Sequence, residues 1–548
     1  MKLETFFKKF EMFADAPNAV AKMRELVLDL AATGRLLSAK AQWETRSLKS
    51  LATKIGSGAT PAGGRESYFS EGIPLIRSMN VHFRGFDRTG LAFLSDQQAD
   101  ELSNVIVQAN DVLLNITGAS IGRVTIAPVE MAGARVNQHV TIIRPISELF
   151  SRFLLIFLAS PSVQRMIDEI QVGATRQALT KAMIEQFAIP LPPLAEQKRI
   201  VAKVDELMAL CDRLEAQQQE REEKHKALSR ASLARFADAP TPANLQFIFH
   251  PSYTIAPADL RKAILTLAVQ GKLVPQDPND EPAEELLKNI ADAKLRMVEQ
   301  RAIRPTKSLP NISISERLVD PPRGWHYTRF LDITSVITCG MASTPTYIEN
   351  GFPFLSAKNV KPYRFLPEDH KFVSEETYRR ITKNGNPEMG DLLLTRVGAG
   401  IGEAAVIDQK INFAYYVSLT LIKPLQDFIE SRFLLHWLNS PFGVAKAHDN
   451  TFGLGVSQGN LNVNQVRKFV ICIPPLAEQK RIVAKVEELM KLVEALETQL
   501  AASRATAANL LAAIVAELTG TPNTAKASVP ASTNTGTGTG RRGRPPKS

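Results

Sequence analysis

The stretch PPLAEQKRIVAKV occupies residues 192–204 and recurs without a change at 474–486, 282 positions later. An internal repeat decides the architecture before any local element does. Extended forward, AEQKRIVAKVDELMALCDRLEAQ aligns with AEQKRIVAKVEELMKLVEALETQ. Working back, FSRFLLIFLASP (150–161) pairs with ESRFLLHWLNSP (430–441), and NDVLLNITGASIGRV (110–124) with GDLLLTRVGAGIGEA (390–404). GIPLIRSMNV (72–81) pairs with GFPFLSAKNV (351–360), and MRELVLDLAATGRLL (23–37) with LRKAILTLAVQGKLV (260–274). Each half therefore reads as a short helix, a variable block and a repeated helix. The second half adds a helix-prone acidic insert, DEPAEELLKNIADAKLRMVEQ.

The repeated helix carries a seam. Ile200, Val204, Leu207, Cys211 and Leu214 are spaced 4-3-4-3, as are Ile482, Val486, Leu489, Val493 and Leu496. Such heptads pack on another helix. One reading is an ordinary amphipathic helix folded onto its own block, but such a helix should change with that block. Near-identity favours the other reading, that the two helices meet each other, or two copies of one partner.

Short runs such as DVLLNI, VTIIRP, SLTLIKP and FVICIPP have strand composition between Gly, Pro and Asn. SRFLLIFLASPSVQRMIDEI and SRFLLHWLNSPFGVAKAH read as helices. The blocks are thus α/β or α+β.

The chain has 548 residues and a net charge of +10, of which Lys526, Arg541, Arg542, Arg544 and Lys547 of the tail supply half. That balance permits a nucleic-acid partner. The three cysteines, Cys211, Cys339 and Cys472, have no C-x-x-C spacing, which predicts neither a disulfide scaffold nor a zinc site. No long apolar run predicts a signal peptide or a membrane span.

Catalytic signatures are missing. RVGAGIGEAAV (396–406) departs from the dinucleotide pattern at Glu403 and reads as a turn between strands. DPPR (320–323) has Arg323 where a base-stacking aromatic is needed, and reads as a linker. His139 and His436 read as structural. No metal site and no catalytic residue is expected.

Polar loops recur at matching places. Arg pairs with guanine, Asn and Gln with adenine, and Lys, Ser and Thr with phosphate. The DNA-contact candidates of the first block are Ser57, Thr60, Arg77, Asn80, Arg84, Gln138, Arg176, Gln177 and Lys181. Those of the second are Thr344, Lys358, Asn359, Lys361, Arg396, Tyr416, Gln458 and Asn460.

The repeated PPLAEQKRIVAKV with its heptads, LRKAILTLAVQGKLVPQDPNDEPAEELL (260–287) and the openings Gly58–Pro61 and Gly340–Pro345 give the chain a family resemblance. It resembles the specificity subunits of type I restriction–modification systems over residues 1–520. The resemblance implies two target recognition domains separated by two long helices in an antiparallel coiled coil, a pseudo-twofold internal repeat. It implies an N-terminal helical segment (1–40), a first recognition domain (41–191), a first long helix (192–237) and a linker (238–257). A helical segment and linker (258–320), a second recognition domain (321–473), a second long helix (474–520) and a disordered basic tail (521–548) follow.

The expected role is non-catalytic and cytoplasmic. Each domain reads one half of a bipartite site in double-stranded DNA. The helices fix the spacer and bind two modification subunits, which two restriction subunits join. No cofactor is expected on this chain; S-adenosylmethionine, ATP and Mg belong to the partners. Arg542-Gly543-Arg544-Pro545 resembles an AT-hook core, although a basic solubilising tail explains it as well. The rival readings are a self-contained methyltransferase or nuclease, and a helical scaffold without a DNA role.

Overall fold

The computed structural model describes residues 16, 18–37, 43–61, 67–172, 178–249, 254–317, 319–453 and 459–520. Contacts divide the chain into two units, residues 1–221 with 501–548, and residues 222–500. The organising helices are α1 (Ala19–Ala32), α2 (Ser151–Ala159), α3 (Pro161–Val172), α4 (Leu194–Asp238) and α5 (Pro242–Ile248). They continue with α6 (Pro257–Val269), α7 (Ala283–Glu299), α8 (Ser431–Asn439), α9 (Pro441–Asp449) and α10 (Leu476–Thr519). Helix α4 begins in the first unit and ends in the second, and α10 begins in the second and ends in the first.

The first unit holds β1 (Glu44–Ser47), β2 (Ala52–Ser57), β3 (Ile73–Ile76), β4 (Val81–His82), β5 (Gly85–Phe86) and β6 (Ala92–Leu94). It continues with β7 (Val112–Asn115), β8 (Val124–Ile126), β9 (Arg135–Val136), β10 (Val140–Pro145) and β11 (Ala188–Leu191). Its sheets have the orders β2-β10-β7-β8, β6-β3-β9, β1-β11 and β4-β5.

In the second unit lie β12 (His326–Arg329), β13 (Thr334–Cys339), β14 (Phe352–Leu355), β15 (Val360–Lys361), β16 (Arg364–Phe365) and β17 (Lys371–Val373). After them come β18 (Leu392–Thr395), β19 (Ala404–Val406), β20 (Ala414–Tyr415), β21 (Leu419–Pro424), β22 (Thr451–Phe452), β23 (Asn460–Leu461) and β24 (Val470–Ile473). The orders β13-β21-β18-β19, β17-β14-β20, β12-β24 and β15-β16 repeat the first unit sheet for sheet, and β22-β23 has no counterpart among the described residues of the first unit. The sequence repeat is thus a repeat of topology, with mixed α and β layers.

Each segment read as helical holds two helices, α2 then α3 and α8 then α9, broken at Ser160 and Ser440. Both serines are extended (ψ 144° and 159°) because the following proline disfavours a helical residue before it. Ser440 Oγ then accepts the Gly443 N–H, and Pro441 takes the first turn of α9, where no amide donor is needed. The stretch 238–257, read as linker, contains α5, capped by the Thr241 side chain with Pro242 in its first turn.

The repeated helix packs on its own block, as the alternative reading of an ordinary amphipathic helix has it. Ile200, Val204, Leu207, Cys211 and Leu214 share one buried cluster with α1, with Phe153 and Leu154 of α2, with Ile189 of β11, and with Leu511 and Ile514. In the second unit Ile482, Val486, Leu489 and Val493, with Leu496 at the margin, join Leu260 and Ile264 of α6, Phe433 and Leu434 of α8, Ile473, and Phe236 of α4. The block surface beneath each helix start is itself the repeated part, so helix and support stay alike together.

A three-way clasp anchors each copy. Gly34 ends α1 with φ +74°, and a Cβ there would meet the Trp43 ring at 3.0 Å; Gly271 (φ +68°) stands against Trp325 at 2.9 Å in the same way. Arg24 of α1 donates to Asp212 and Glu215 of α4, each at 2.7 Å. Arg261 of α6 donates to Glu497 of α10 at 2.6 Å.

Candidate nucleic-acid interface

The polar loops gather, in each unit, where strand ends of the four-stranded and three-stranded sheets meet. Glycine makes the approach possible. At Gly58, after β2, a Cβ would fall 1.8 Å from the Val136 carbonyl oxygen; at Gly340, after β13, it would fall 2.0 Å from that of Tyr415. No other residue fits so close to a neighbouring backbone.

In the first unit Thr60 Oγ1 donates to Gln138 Oε1, and Gln138 lies 3.3 Å from the His139 ring. His139 contacts Thr117, and Thr117 bridges Ala178. These bonds bring together Thr60, Gln138 and the segment that leads to Lys181, whose exposed ammonium stands 3.7 Å from Glu185. Ser57 is half-buried at the end of β2. Arg176 and Gln177 lie outside the described residues.

The β4–β5 hairpin carries Arg84, exposed, beside Phe83, which is 52% exposed. Arg77 is half-buried, lies 5.4 Å over the Tyr68 ring, and donates to the Gly90 carbonyl. Asn80 is a correction. It is fully buried, accepts the Arg77 N–H at 3.0 Å, and donates to the carbonyls of Asp87 (2.9 Å) and Thr89 (3.3 Å). Its amide is consumed in holding the hairpin and presents nothing to DNA.

Asn359 repeats that clasp and that correction in the second unit. It accepts the Ser356 N–H at 2.9 Å and donates to the carbonyls of Leu366 and Asp369, both at 2.8 Å. Arg396 is also turned inward. The residue is only 7% exposed, and its guanidinium donates to Leu461 O (2.8 Å), Val417 O (3.0 Å) and Asn460 Oδ1 (2.7 Å). A sequence cannot distinguish an arginine that ties loops together from one that reads a base; a buried planar donor with three fixed acceptors does the first.

Thr344, Lys358, Lys361 and Asn460 are exposed, and Tyr416 is half-buried. Lys358 pairs with Asp369 at 2.8 Å and Lys361 with Glu403 at 3.1 Å, both surface pairs that water weakens. Gln458 lies outside the described residues.

Sequence reasoning passed over the exposed apolar and aromatic side chains near these loops. Phe83 and Met79 stand out in the first unit. In the second, Tyr347 is 39% exposed with Lys371 Nζ 4.5 Å over its ring, and Phe452 is exposed beside the 459–461 segment. Their signal was aromatic residues inside turn chemistry, as in HFRG. The paired hairpin differs: Tyr363 adopts φ +65° and packs on His436 with ring centroids 5.6 Å apart. Burial pushes the His436 imidazole down to about 3, with Arg432 adding to the effect, so it is a neutral core residue. The RVGAGIGEAAV loop is the turn joining antiparallel β18 and β19.

Among the described residues no group of three or more His, Cys, Asp or Glu could hold a metal, and no helix is long and apolar enough to cross a membrane.

Comparison with known proteins agrees with this repeated arrangement. The model for the type I restriction modification DNA specificity domain matches residues 40–223 and again 322–503. The specificity subunit of the Escherichia coli type I restriction enzyme EcoEI is 29% identical over 392 residues, covering 68% of this chain and 66% of that protein. The EcoAI specificity subunit of Escherichia coli is 29% identical over 370 residues, covering 64% and 61%. The matched chain thus spans just under two thirds of the length of these relatives. The crystal structure of the HsdS subunit from Thermoanaerobacter tengcongensis aligns with 18% identity and a TM-score of 0.46, over 88% of this chain and 97% of that one. With its specificity domain present twice, the chain belongs to the type I restriction–modification specificity family.

Proposed function

We propose that this chain is the non-catalytic DNA-recognition subunit of a cytoplasmic type I restriction–modification complex. Each unit reads one half of an asymmetric, bipartite site in double-stranded DNA. The long helices set the unread spacer and dock two modification subunits, and two restriction subunits complete the assembly. Adenine methylation, with S-adenosylmethionine, and ATP- and Mg-dependent cleavage belong to those partners.

One observation carries this reading: the same loop frame occurs twice with different exposed side chains on it. The glycine approaches at Gly58 and Gly340 and the asparagine clasps at Asn80 and Asn359 repeat. The side chains that reach solvent from that frame do not: Phe83, Arg84 and Gln138 in one unit, Thr344, Lys358 and Asn460 in the other. A fixed frame with changed tips is how two domains of one fold read two different sequences, since base edges specify and backbone contacts only position.

The test is co-expression with the cognate modification subunit in a methylation-free host, followed by single-molecule methylome sequencing. The expected result is a split motif with a modified adenine in each half. A soluble complex that neither modifies a motif nor binds DNA would overturn the reading.

A further inference from the structure

We propose that the second unit contains a binding site for an organic cation, an alkylammonium or guanidinium group, with Glu478 as its principal anion. A cavity of about 530 Å³ beside the first turn of α10 is lined in part by Asp277, Asp280, Glu284, Arg323, Trp325 and Glu478. Four carboxylates there face one guanidinium. Glu478 is only 1% exposed, and its Oε1 has no hydrogen-bond partner. The Trp325 indole N–H is buried beside it, close enough to favour the ionised carboxyl but without a hydrogen bond of normal geometry. Asp280 is already engaged by Arg481, at 3.2 and 2.6 Å.

A buried carboxylate oxygen without a partner has two ways to be satisfied, a proton or a cation. Burial pushes the Glu478 carboxyl up to about 7, with Asp280 adding to the rise and Trp325 and Arg481 opposing it, so both are open near neutral pH. A metal ion needs several converging ligands, and the described residues offer no such set here. An alkylammonium or guanidinium needs one carboxylate and gains from an aromatic wall, which Trp325 provides.

The first unit isolates what is special. Glu196 occupies the same place in the repeated motif but is only half-buried. The acidic stretch QDPNDEPAEE that supplies Asp277, Asp280 and Glu284 has no counterpart in the first half. The insert therefore turns one copy of a duplicated glutamate into an enclosed anion.

The cation has two possible sources, a free polyamine or a basic side chain of a docked protein, and two measurements on the full chain separate them. In the first, spermidine is titrated at pH 8 and pH 5.5 against wild type, E478Q and E196Q, reading the thermal midpoint. A free-polyamine site gives a saturable rise at pH 8 that is lost at pH 5.5 and in E478Q but kept in E196Q; carboxylates of ordinary pKa stay ionised at both pH values. The second measures affinity for the co-expressed modification subunit. At least a tenfold loss in E478Q, with none in E196Q and no spermidine effect, assigns the site to a partner's basic side chain. This second arm rests on the proposed function and the first does not. The absence of both a saturable spermidine effect and a Glu478-dependent assembly defect overturns the proposal. Glutamine matches glutamate in shape and removes a buried charge, and circular dichroism confirms that each variant is folded.

Discussion

Gln197 accepts the Phe150 N–H at 2.7 Å, so a side chain of the repeated helix caps the amide at the start of α2. The other end of the same amide donates to the carbonyls of Glu148 and Pro192, both at 2.8 Å. Gln479 does the same work one repeat later, accepting the Glu430 N–H at 2.9 Å and donating to Pro474 O at 3.0 Å. Both glutamines are fully buried. They explain why AEQKR is invariant between the halves: the bonds run to backbone, so block side chains are free to change while the glutamine is not. Replacing Gln197 or Gln479 by Ala leaves buried backbone groups unpaired, and each unpaired group costs about 1–3 kcal/mol. Urea titration is expected to show a loss of roughly 2–3 kcal/mol in the affected unit. A change under about 0.5 kcal/mol, the range of ordinary surface substitutions, would remove the glutamine from this role.

The seam separates from the exposed helix face by the same logic. Val486 and Leu489 are fully buried, whereas Leu492 on the same helix is 44% exposed. Leu489→Ala is expected to cost about 2–5 kcal/mol through lost contacts and the cavity left behind. Leu492→Ala should stay within about 0.5 kcal/mol. Chemical denaturation of both variants checks the pair, and equal effects would contradict the assigned faces.

Scaffold and reading residues should part company in a binding assay. Asn359→Ala breaks a clasp whose amide bonds three backbone groups, so it should destabilise the second unit by roughly 2–3 kcal/mol. Lys358→Ala and Arg84→Ala remove exposed charges and should leave stability unchanged while weakening DNA binding by the assembled complex. If Lys358 or Arg84 touches phosphate, its loss reduces the salt slope by about one unit. If it touches a base, one position of the motif relaxes. Unaltered affinity in both variants would move the interface away from these loops.

Much of the architecture was legible because a duplicated chain carries its own comparison. Matching segments fixed the number of domains, and hydrophobic spacing gave the buried faces of α4 and α10. The site was less legible. Asn80 and Asn359 are the same residue at the same place in both halves, and that sameness marks scaffold. Arg396 aligns with Ile116, and difference alone suggested a reading residue, yet its guanidinium ties three loop acceptors together. Whether a polar side chain faces its own backbone or solvent depends on loop geometry set by residues distant in sequence, and no local pattern encodes it. Phe83 was missed because candidates were sought among polar side chains, yet a two-residue turn leaves it no interior to enter.

Glu478 makes a prediction about pH. Its carboxyl is raised to about 7 in the folded chain, chiefly by burial, against an ordinary 4.5. Below 4.5 the group is protonated whether folded or unfolded, and its contribution to stability is full. Between 4.5 and 7 the unfolded chain ionises freely while the folded one holds its proton, so stability falls as pH rises. Above 7 the loss levels off, on the order of 1–3 kcal/mol. E478Q lacks this titration. The difference in thermal midpoint between wild type and E478Q should therefore move against wild type from pH 4.5 to 7 and then stay constant. A difference independent of pH would show that the carboxylate is solvated in the folded chain.

The last prediction concerns length. If the long helices set the spacing between half-sites, seven residues inserted after Leu214 and seven after Leu496 lengthen both while preserving the heptad register. At 1.5 Å per residue each helix grows by about 10 Å, or about three base pairs of duplex. Methylome sequencing of the lengthened variant should then return the same two half-site sequences around a spacer longer by about that number. A four-residue insertion rotates the seam out of phase and should cost folding before it changes any spacer. Altered half-sites with an unchanged spacer would mean that the helices position nothing on DNA, and that the spacing is held by contacts among the recognition loops themselves.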